Sequence, residues 1–324
     1  MPPKNVCKWV NQQTALTTFA TYTGPTQSQQ HIKPLHYYVA CRLVVEGGFL
    51  PEEITPRPPF RAERRDGWRL IYDPTVATGS ERTLLGGLKT KNVDVVIIKN
   101  GLGPAMAVSC KGAIGAFRNL TNRMEEAVGD CTNLHITYPA MVTGFLFVLR
   151  AHRHDAMVAA EATTPGAFAP GRTIGQNDIA ISKSGEPVEA IVRFHNALRE
   201  LTGRRGIRDD VSRYEAVSLV LIDPIGPPAG QVLASYPIAD SPLRIEQFFE
   251  TLYMRYDERY VYSAPDLKSV TRRREWSPDS PALTGDHLGS MFPAGALDYQ
   301  PRIAVPGTSQ AEDDAASTDE ANES

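Results

Sequence analysis

Two short apolar runs on either side of a glycine-rich turn form the clearest pattern in the chain. VDVVIIK (93–99) is dominated by β-branched residues and AMAVSCK (105–111) is the second run, with Asn100, Gly101, Gly103 and Pro104 between them, so the pair predicts a β-hairpin. Centring the turn between Leu102 and Gly103 sets Asp94 opposite Lys111. Side chains alternate along a strand, so Ser109 shares their face, diagonal to Asp94. Beyond the hairpin the period changes. Phe117, Leu120, Met124 and Val128 recur at spacings of three and four, which predicts an amphipathic helix. Arg118, Asn122 and Glu125 form a polar line beside that stripe. MVTGFLFVL (141–149) and AVSLVLI (216–222) are unbroken apolar runs, as expected of strands buried on both faces, and 186–201 between them has helical spacing.

The flanking pattern is less regular. Residues 6–22 predict a helix, 35–45 (with HYYVACRLVV) have strand character, and 51–65 read as a Pro- and Arg-rich surface loop. Residues 68–72 predict a short strand, 80–88 a helix with Ser80 as N-cap, 133–137 a short strand, and 243–260 an aromatic-rich helix. Residues 151–184 are punctuated by Gly and Pro and read as an insertion. The order helix, hairpin, helix, strand, helix, strand is that of an α/β domain with a mixed sheet flanked by helices.

Asp94 and Lys111 place a carboxylate and an ammonium together on an otherwise apolar hairpin. A cross-strand ion pair is one explanation. Phosphodiester chemistry is another: a carboxylate-held divalent metal polarises the phosphate, and a lysine stabilises the charge that develops on it.

The arrangement Asn92-Val93-Asp94 followed by Ser109-Cys110-Lys111 resembles the PD-(D/E)xK nucleases, whose motif has an aspartate on one strand and a (D/E)xK tripeptide on the next. Valine stands where the proline would be and serine where the second acid would be. Some type II restriction endonucleases of this superfamily carry that serine and supply the acid from the following helix, about thirteen residues beyond the lysine. Thirteen residues, 112–124, separate Lys111 from Glu125. The resemblance implies a restriction-endonuclease-like fold with peripheral elaborations. The expected divisions are an N-terminal elaboration (1–65), a catalytic core (66–228), a C-terminal elaboration (229–306) and an acidic tail (307–324).

The resemblance further implies Mg²⁺-dependent, sequence-specific cleavage of double-stranded DNA by a homodimer, with Mn²⁺ able to substitute. Asp94, Ser109, Lys111 and Glu125 would be catalytic. Asp94 and Glu125 would hold the metal, joined by the upstream acid Glu81, although an ordinary glutamate in a first helical turn also explains Glu81. Arg118, Asn119, Asn122 and Arg123 have the chemistry to read bases, and a solvated helix face is the alternative account of them and of Glu125. The other outcome of the serine substitution is a non-catalytic DNA-binding protein on the same fold.

Net charge changes the picture once its distribution is considered. The value of −3 includes six acids and no Lys or Arg in residues 308–324, and without them 34 basic residues stand against 31 acidic ones. That tail has the composition of a disordered segment. Arg61, Arg64 and Arg65, then Arg204, Arg205 and Arg208, then Arg272, Arg273 and Arg274, form three clusters suited to a polyanion. The four cysteines form no CxxC pair, no apolar run is long enough to cross a bilayer, and no secretory h-region is evident, so a cytoplasmic protein is expected. Walker A, GxSxG and HExxH motifs are absent.

Overall fold

Alternation along one fully buried strand, Val142–Arg150, divides the core in two. Val142, Leu146 and Val148 belong to one apolar cluster and Phe145, Phe147 and Leu149 to another. The computed structural model describes residues 6–25, 28–155, 174–292 and 297–305. In chain order the principal elements are α1 (Gln12–Thr21), α2 (Lys33–Val45), β1 (Ile54–Thr55), β2 (Phe60–Arg64), β3 (Trp68–Tyr72), β4 (Arg82–Leu85), β5 (Thr90–Val93), β6 (Val95–Lys99), β7 (Gly103–Ala113), α3 (Leu120–Thr137), β8 (Val142–Arg150), β9 (His152–Arg153), β10 (Ile179–Ile181), α4 (Glu189–Glu200), β11 (Ala216–Asp223), β12 (Gln231–Val232) and α5 (Ile245–Tyr256).

The main sheet has six strands in the order β1-β6-β7-β8-β11-β12. Pairing is parallel for β7 with β8 and for β8 with β11, and antiparallel elsewhere. Buried residues of α2 and α5 pack with one sheet face, and those of α3 and α4 with the other. This is the expected α/β class with a mixed sheet flanked by helices. The first cluster runs from Cys7 to Tyr299, so the core crosses the expected divisions near residues 65 and 228. The tail from residue 306 and residues 156–173 of the expected insertion lie outside the described residues. No helix among the described residues is long and apolar enough to cross a membrane.

Several local expectations are corrected. The expected strand in 35–45 is helix α2, whose residues from Leu35 to Val45 are all buried. A helix apolar on every side shows no 3.6-residue period, and its Val and Tyr content mimics a strand. Pro34 in its first turn is the signal that was present. The expected helix at 80–88 is a β-hairpin, β4 with β5, in which Arg82 pairs with Val93 and Leu85 with Thr90. Gly86 lies in its turn, where a Cβ would meet the Asn133 side chain at 2.1 Å. The expected strand at 133–137 is the end of α3, which continues through Gly129-Asp130. The supposed loop at 51–65 contains β1 and β2, and β1 borders the sheet through Ile54 and Ile97.

The β6–β7 hairpin exists, but its register differs by two from the expected one. Val95 pairs with Val108 and Ile97 with Met106, and an irregularity follows Ile97. A shift of two keeps every side chain on its face. Continued by one position, this register sets Asp94 opposite Ser109 and makes Lys111 the diagonal neighbour.

Candidate metal and phosphate site

Asp94 occupies the single-residue bend between β5 and β6 and is 5 % exposed. One of its oxygens is saturated. Oδ2 accepts hydrogen bonds from the Cys110 amide (2.8 Å), Ser109 Oγ (3.1 Å) and Lys111 Nζ (3.1 Å). The tripeptide singled out in the sequence therefore converges on one atom, with Ser109 acting as a donor to Asp94. Oδ1 faces away from these donors toward His36, whose Nε2 lies 3.9 Å from it.

Glu81 reaches the same place through the hairpin. Because Arg82 pairs with Val93, the next step of the β4–β5 register sets Glu81 opposite Asp94. His36 descends from α2. Ligand atoms of His36, Glu81 and Asp94 all lie within 4.8 Å of one another. His36 is 3 % exposed and its Nε2 lacks a hydrogen-bond partner, as does the buried Oε1 of Glu81. A buried polar atom left in that condition costs about 1–3 kcal/mol, so this convergence calls for a cation or another ligand. The donor set suits a divalent metal: two carboxylates balance its charge, and all three groups have lone pairs to offer.

Electrostatics agree with this division of roles. Burial pushes the His36 pKa down to about 4 against the pull of Asp94, so the imidazole is neutral at pH 7. Burial and the Asp94 charge push the Glu81 carboxyl up. Burial also opposes the Asp94 charge, but His36, Lys111 and the Cys110 amide outweigh it and hold that carboxyl below its ordinary value. Since His36 is neutral at pH 7, Lys111 and the amide carry that effect there. Burial tends to discharge Lys111, yet Asp94 foremost and Glu126 further away raise its pKa, so the ammonium stays charged.

Asp94 and Lys111 open onto a cavity of about 490 Å³, whose wall on the α3 side is formed by Asn119, Leu120, Arg123 and Glu126. Asn119, Arg123 and Glu126 are spaced by four and three, which defines the helix line facing the cavity. Arg118, Asn122 and Glu125 follow the same spacing one residue earlier. One residue is about 100° of helix rotation, so they lie on the adjacent line. All three are exposed and none lines the cavity. Neither Glu125 nor Glu126 belongs to the metal-compatible group; Glu126 borders the cavity and accepts from Arg123 Nη1 at 2.8 Å. Of the residues expected to touch DNA, Asn119 and Arg123 border the cavity.

Two fastenings hold the β4–β5 hairpin against α3. Asn133 Oδ1 accepts the amides of Leu88 (2.7 Å) and Lys89 (3.0 Å), and buried Asp130 pairs with Lys91. At the far wall Ala116 adopts a left-handed backbone (φ 57°), and its amide donates to Asp178 Oδ1 at 2.6 Å. Gly112 is required where β7 passes α1, since a Cβ there would meet the Phe19 ring at 2.3 Å.

The arginine clusters divide differently from the expectation. Arg204 is buried against Glu215 and Arg273 is bound to Asp257, so both serve the interior, while Arg61 pairs with Asp73. All four cysteines are buried free thiols. His36 was missed because its helix resembled a strand, and a lone histidine in an apolar run two residues after Pro34 was the available signal. Scans against protein-family models, curated proteins and solved structures find nothing that matches this chain.

Proposed function

We propose that the chain is a metal-dependent endodeoxyribonuclease built on a restriction-endonuclease-like core, as its resemblance to the PD-(D/E)xK nucleases implies. The observation that carries this is the division of labour at Asp94. One carboxylate oxygen is held by Ser109, Cys110 and Lys111, the other lies toward buried His36, and half-buried Glu81 joins the group, with His36 Nε2 and Glu81 Oε1 both unpartnered. Asp94 and Glu81 would hold the cation, which when bound polarises the phosphate and eases formation of hydroxide. Lys111 keeps its proton and offers Nζ to the phosphate oxygens as negative charge grows on them. Asp94 Oδ2 and Ser109 fix where that ammonium points. Arg123 and Asn119 line the approach for a phosphate backbone. On α3 the carboxylate bordering this cavity is Glu126, which pairs with Arg123 and supports the charge on Lys111.

Exposure of Glu125 supports the second reading, a DNA-binding protein without catalysis, because the acid missing at Ser109 is then not replaced from that position. Against it stands the group of three donors, two of them buried, for which a protein that only binds DNA has no need. The test is incubation of the purified protein with varied duplex DNA and Mg²⁺ or Mn²⁺. Cleavage by the wild type is expected. Asp94→Asn and Lys111→Ala should each slow it by at least about 10³-fold while the circular dichroism spectrum is retained. Wild-type rates in either variant would remove the assignment, and binding without cleavage by the unaltered chain would favour the second reading.

A further inference from the structure

We propose that His36 Nε2 is a direct ligand of the cation held by Asp94 and Glu81, and that this nitrogen makes the site selective for Mn²⁺ over Mg²⁺. The assignment deepens the nuclease proposal, on which it rests for what the metal does, but metal binding can be measured without DNA.

The geometry leaves His36 little else to do. Its Nε2 is buried without a hydrogen-bond partner, 3.9 Å from Asp94 Oδ1, a separation too long for a hydrogen bond. Two ligands at about 2.1 Å from a common ion stand roughly 3–4 Å apart, depending on their angle. The 3.9 Å spacing falls within the range that two donors to a common ion would have. A Glu81 carboxylate oxygen completes the group within 4.8 Å, and Glu81 Oε1 lacks a hydrogen-bond partner. All three donors sit on fixed elements: His36 on a helix buried on every side, Asp94 at a bend stapled by three donors, Glu81 at the start of a hairpin fastened to α3.

The choice of ion follows from the chemistry of the donors. Mg²⁺ prefers oxygen, demands near-ideal octahedral geometry and gives up its water reluctantly, so a buried imidazole offers it little. Mn²⁺ carries the same charge, accepts carboxylates equally well and also accepts imidazole nitrogen. An all-carboxylate site would not separate the two ions on this basis. The nitrogen does.

The experiment uses the full chain, free of DNA and metal, titrated with Mn²⁺ alone and with Mg²⁺ alone by calorimetry, followed by pulsed electron paramagnetic resonance of the Mn²⁺ complex. One Mn²⁺ should bind at least about tenfold more tightly than Mg²⁺. The spectrum should show coupling to ¹⁴N that changes to ¹⁵N coupling when the protein is labelled with ¹⁵N-histidine. His36→Gln, which replaces the nitrogen by an amide oxygen, should remove the coupling and bring the two affinities within about threefold of each other. Isotope labelling keeps the proposal falsifiable even if that variant does not fold, and His31→Gln, at the other histidine lining the cavity, should leave the coupling in place. Mn²⁺ bound without nitrogen coupling, equal affinities for the two ions in the wild type, or no bound ion would each overturn the proposal. Nitrogen-coupled Mn²⁺ on a chain that leaves DNA intact would overturn the nuclease reading alone. Cleavage with Mg²⁺ by a chain whose Mn²⁺ shows no nitrogen coupling would overturn the His36 assignment alone.

Discussion

Two of the buried polar clusters among the described residues are finished to different degrees. Around Glu215 the carboxylate is fully matched: Oε1 accepts from Arg204 Nη1 (2.7 Å) and Arg259 Nη1 (2.8 Å), and Oε2 accepts from the Thr143 amide (2.7 Å) and hydroxyl (2.9 Å). Arg204 also donates to the carbonyls of Pro139 and Ile207, so the cluster ties the end of α3, the start of β8 and the strand β11 to one another. Around Asp94 one oxygen is matched just as fully, but His36 Nε2 and Glu81 Oε1 are left without partners. A polar cluster whose acceptors are satisfied from within the chain rigidifies it. Beside Asp94 the unpartnered atoms of His36 and Glu81 converge, which is the arrangement a cation would complete. Arg204 Nε also lacks a partner, so a lone unmatched atom does not set the two clusters apart; what distinguishes the Asp94 cluster is that unmatched atoms of two groups, His36 and Glu81, converge beside one carboxylate.

The strongest test sets the two central carboxylates against each other. Glu215→Gln should cost about 3–5 kcal/mol of stability in chemical denaturation, because two guanidinium groups lose their countercharge in a fully buried place. DNA cleavage per folded molecule should be unchanged. Asp94→Asn should do the reverse, abolishing cleavage while shifting stability by only about 1 kcal/mol. It loses a partner of Lys111 but also relieves the repulsion between Asp94 and Glu81. If Asp94→Asn unfolds the protein as Glu215→Gln does, the Asp94 cluster is a structural ion pair and the contrast collapses.

The sequence revealed these two clusters unequally. Asp94, Ser109 and Lys111 were legible because they sit on a hairpin whose alternation can be counted, and a register error of two leaves the face unchanged. Glu81 was noticed on a false basis, as a helical residue, and reaches Asp94 because 80–88 turns back as a strand at Gly86-Gly87. His36 was not legible, since a helix buried all round carries no period. That Glu126 and not Glu125 borders the cavity could not be read from the sequence, because both polar lines of α3 have the same spacing and only the orientation of the helix over the sheet selects between them. The Glu215 cluster gave no signal at all. Its members lie in segments far apart in sequence, and Arg204 looked like one of three surface clusters.

A smaller effect sharpens the choice along α3. Glu126→Gln should lower the cleavage rate about ten- to a hundredfold, the cost typical of losing a group that orients metal-site residues, because Glu126 borders the cavity and helps keep Lys111 charged. Glu125→Ala, on the exposed neighbouring line, should stay within about twofold of the wild type. The opposite ranking in steady-state rates would restore Glu125 as the relocated acid and would require α3 to rotate by about one residue when DNA binds.

The smallest expected effect is a pH dependence confined to the satisfied cluster. His135 is buried beside Glu215, with Nδ1 3.0 Å from the Val211 carbonyl and Nε2 3.2 Å from that of Met141. Burial lowers its pKa from the ordinary 6.5, and the nearby Arg204 works in the same direction, while Glu215 and the two carbonyls oppose them without prevailing. The folded chain therefore refuses a proton that the unfolded chain accepts. Its contribution to stability is complete above the unfolded pKa and falls as pH drops below it. Melting temperatures measured between pH 8 and pH 5 should decline more steeply for the wild type than for His135→Gln, even if the variant is less stable throughout. Other buried histidines titrate in both proteins, so the difference between the two curves isolates His135. Parallel curves would mean that the cluster takes up the proton without cost, with Glu215 sharing its charge between the arginines and a protonated His135, and the cluster would then be less rigidly matched than its hydrogen bonds imply.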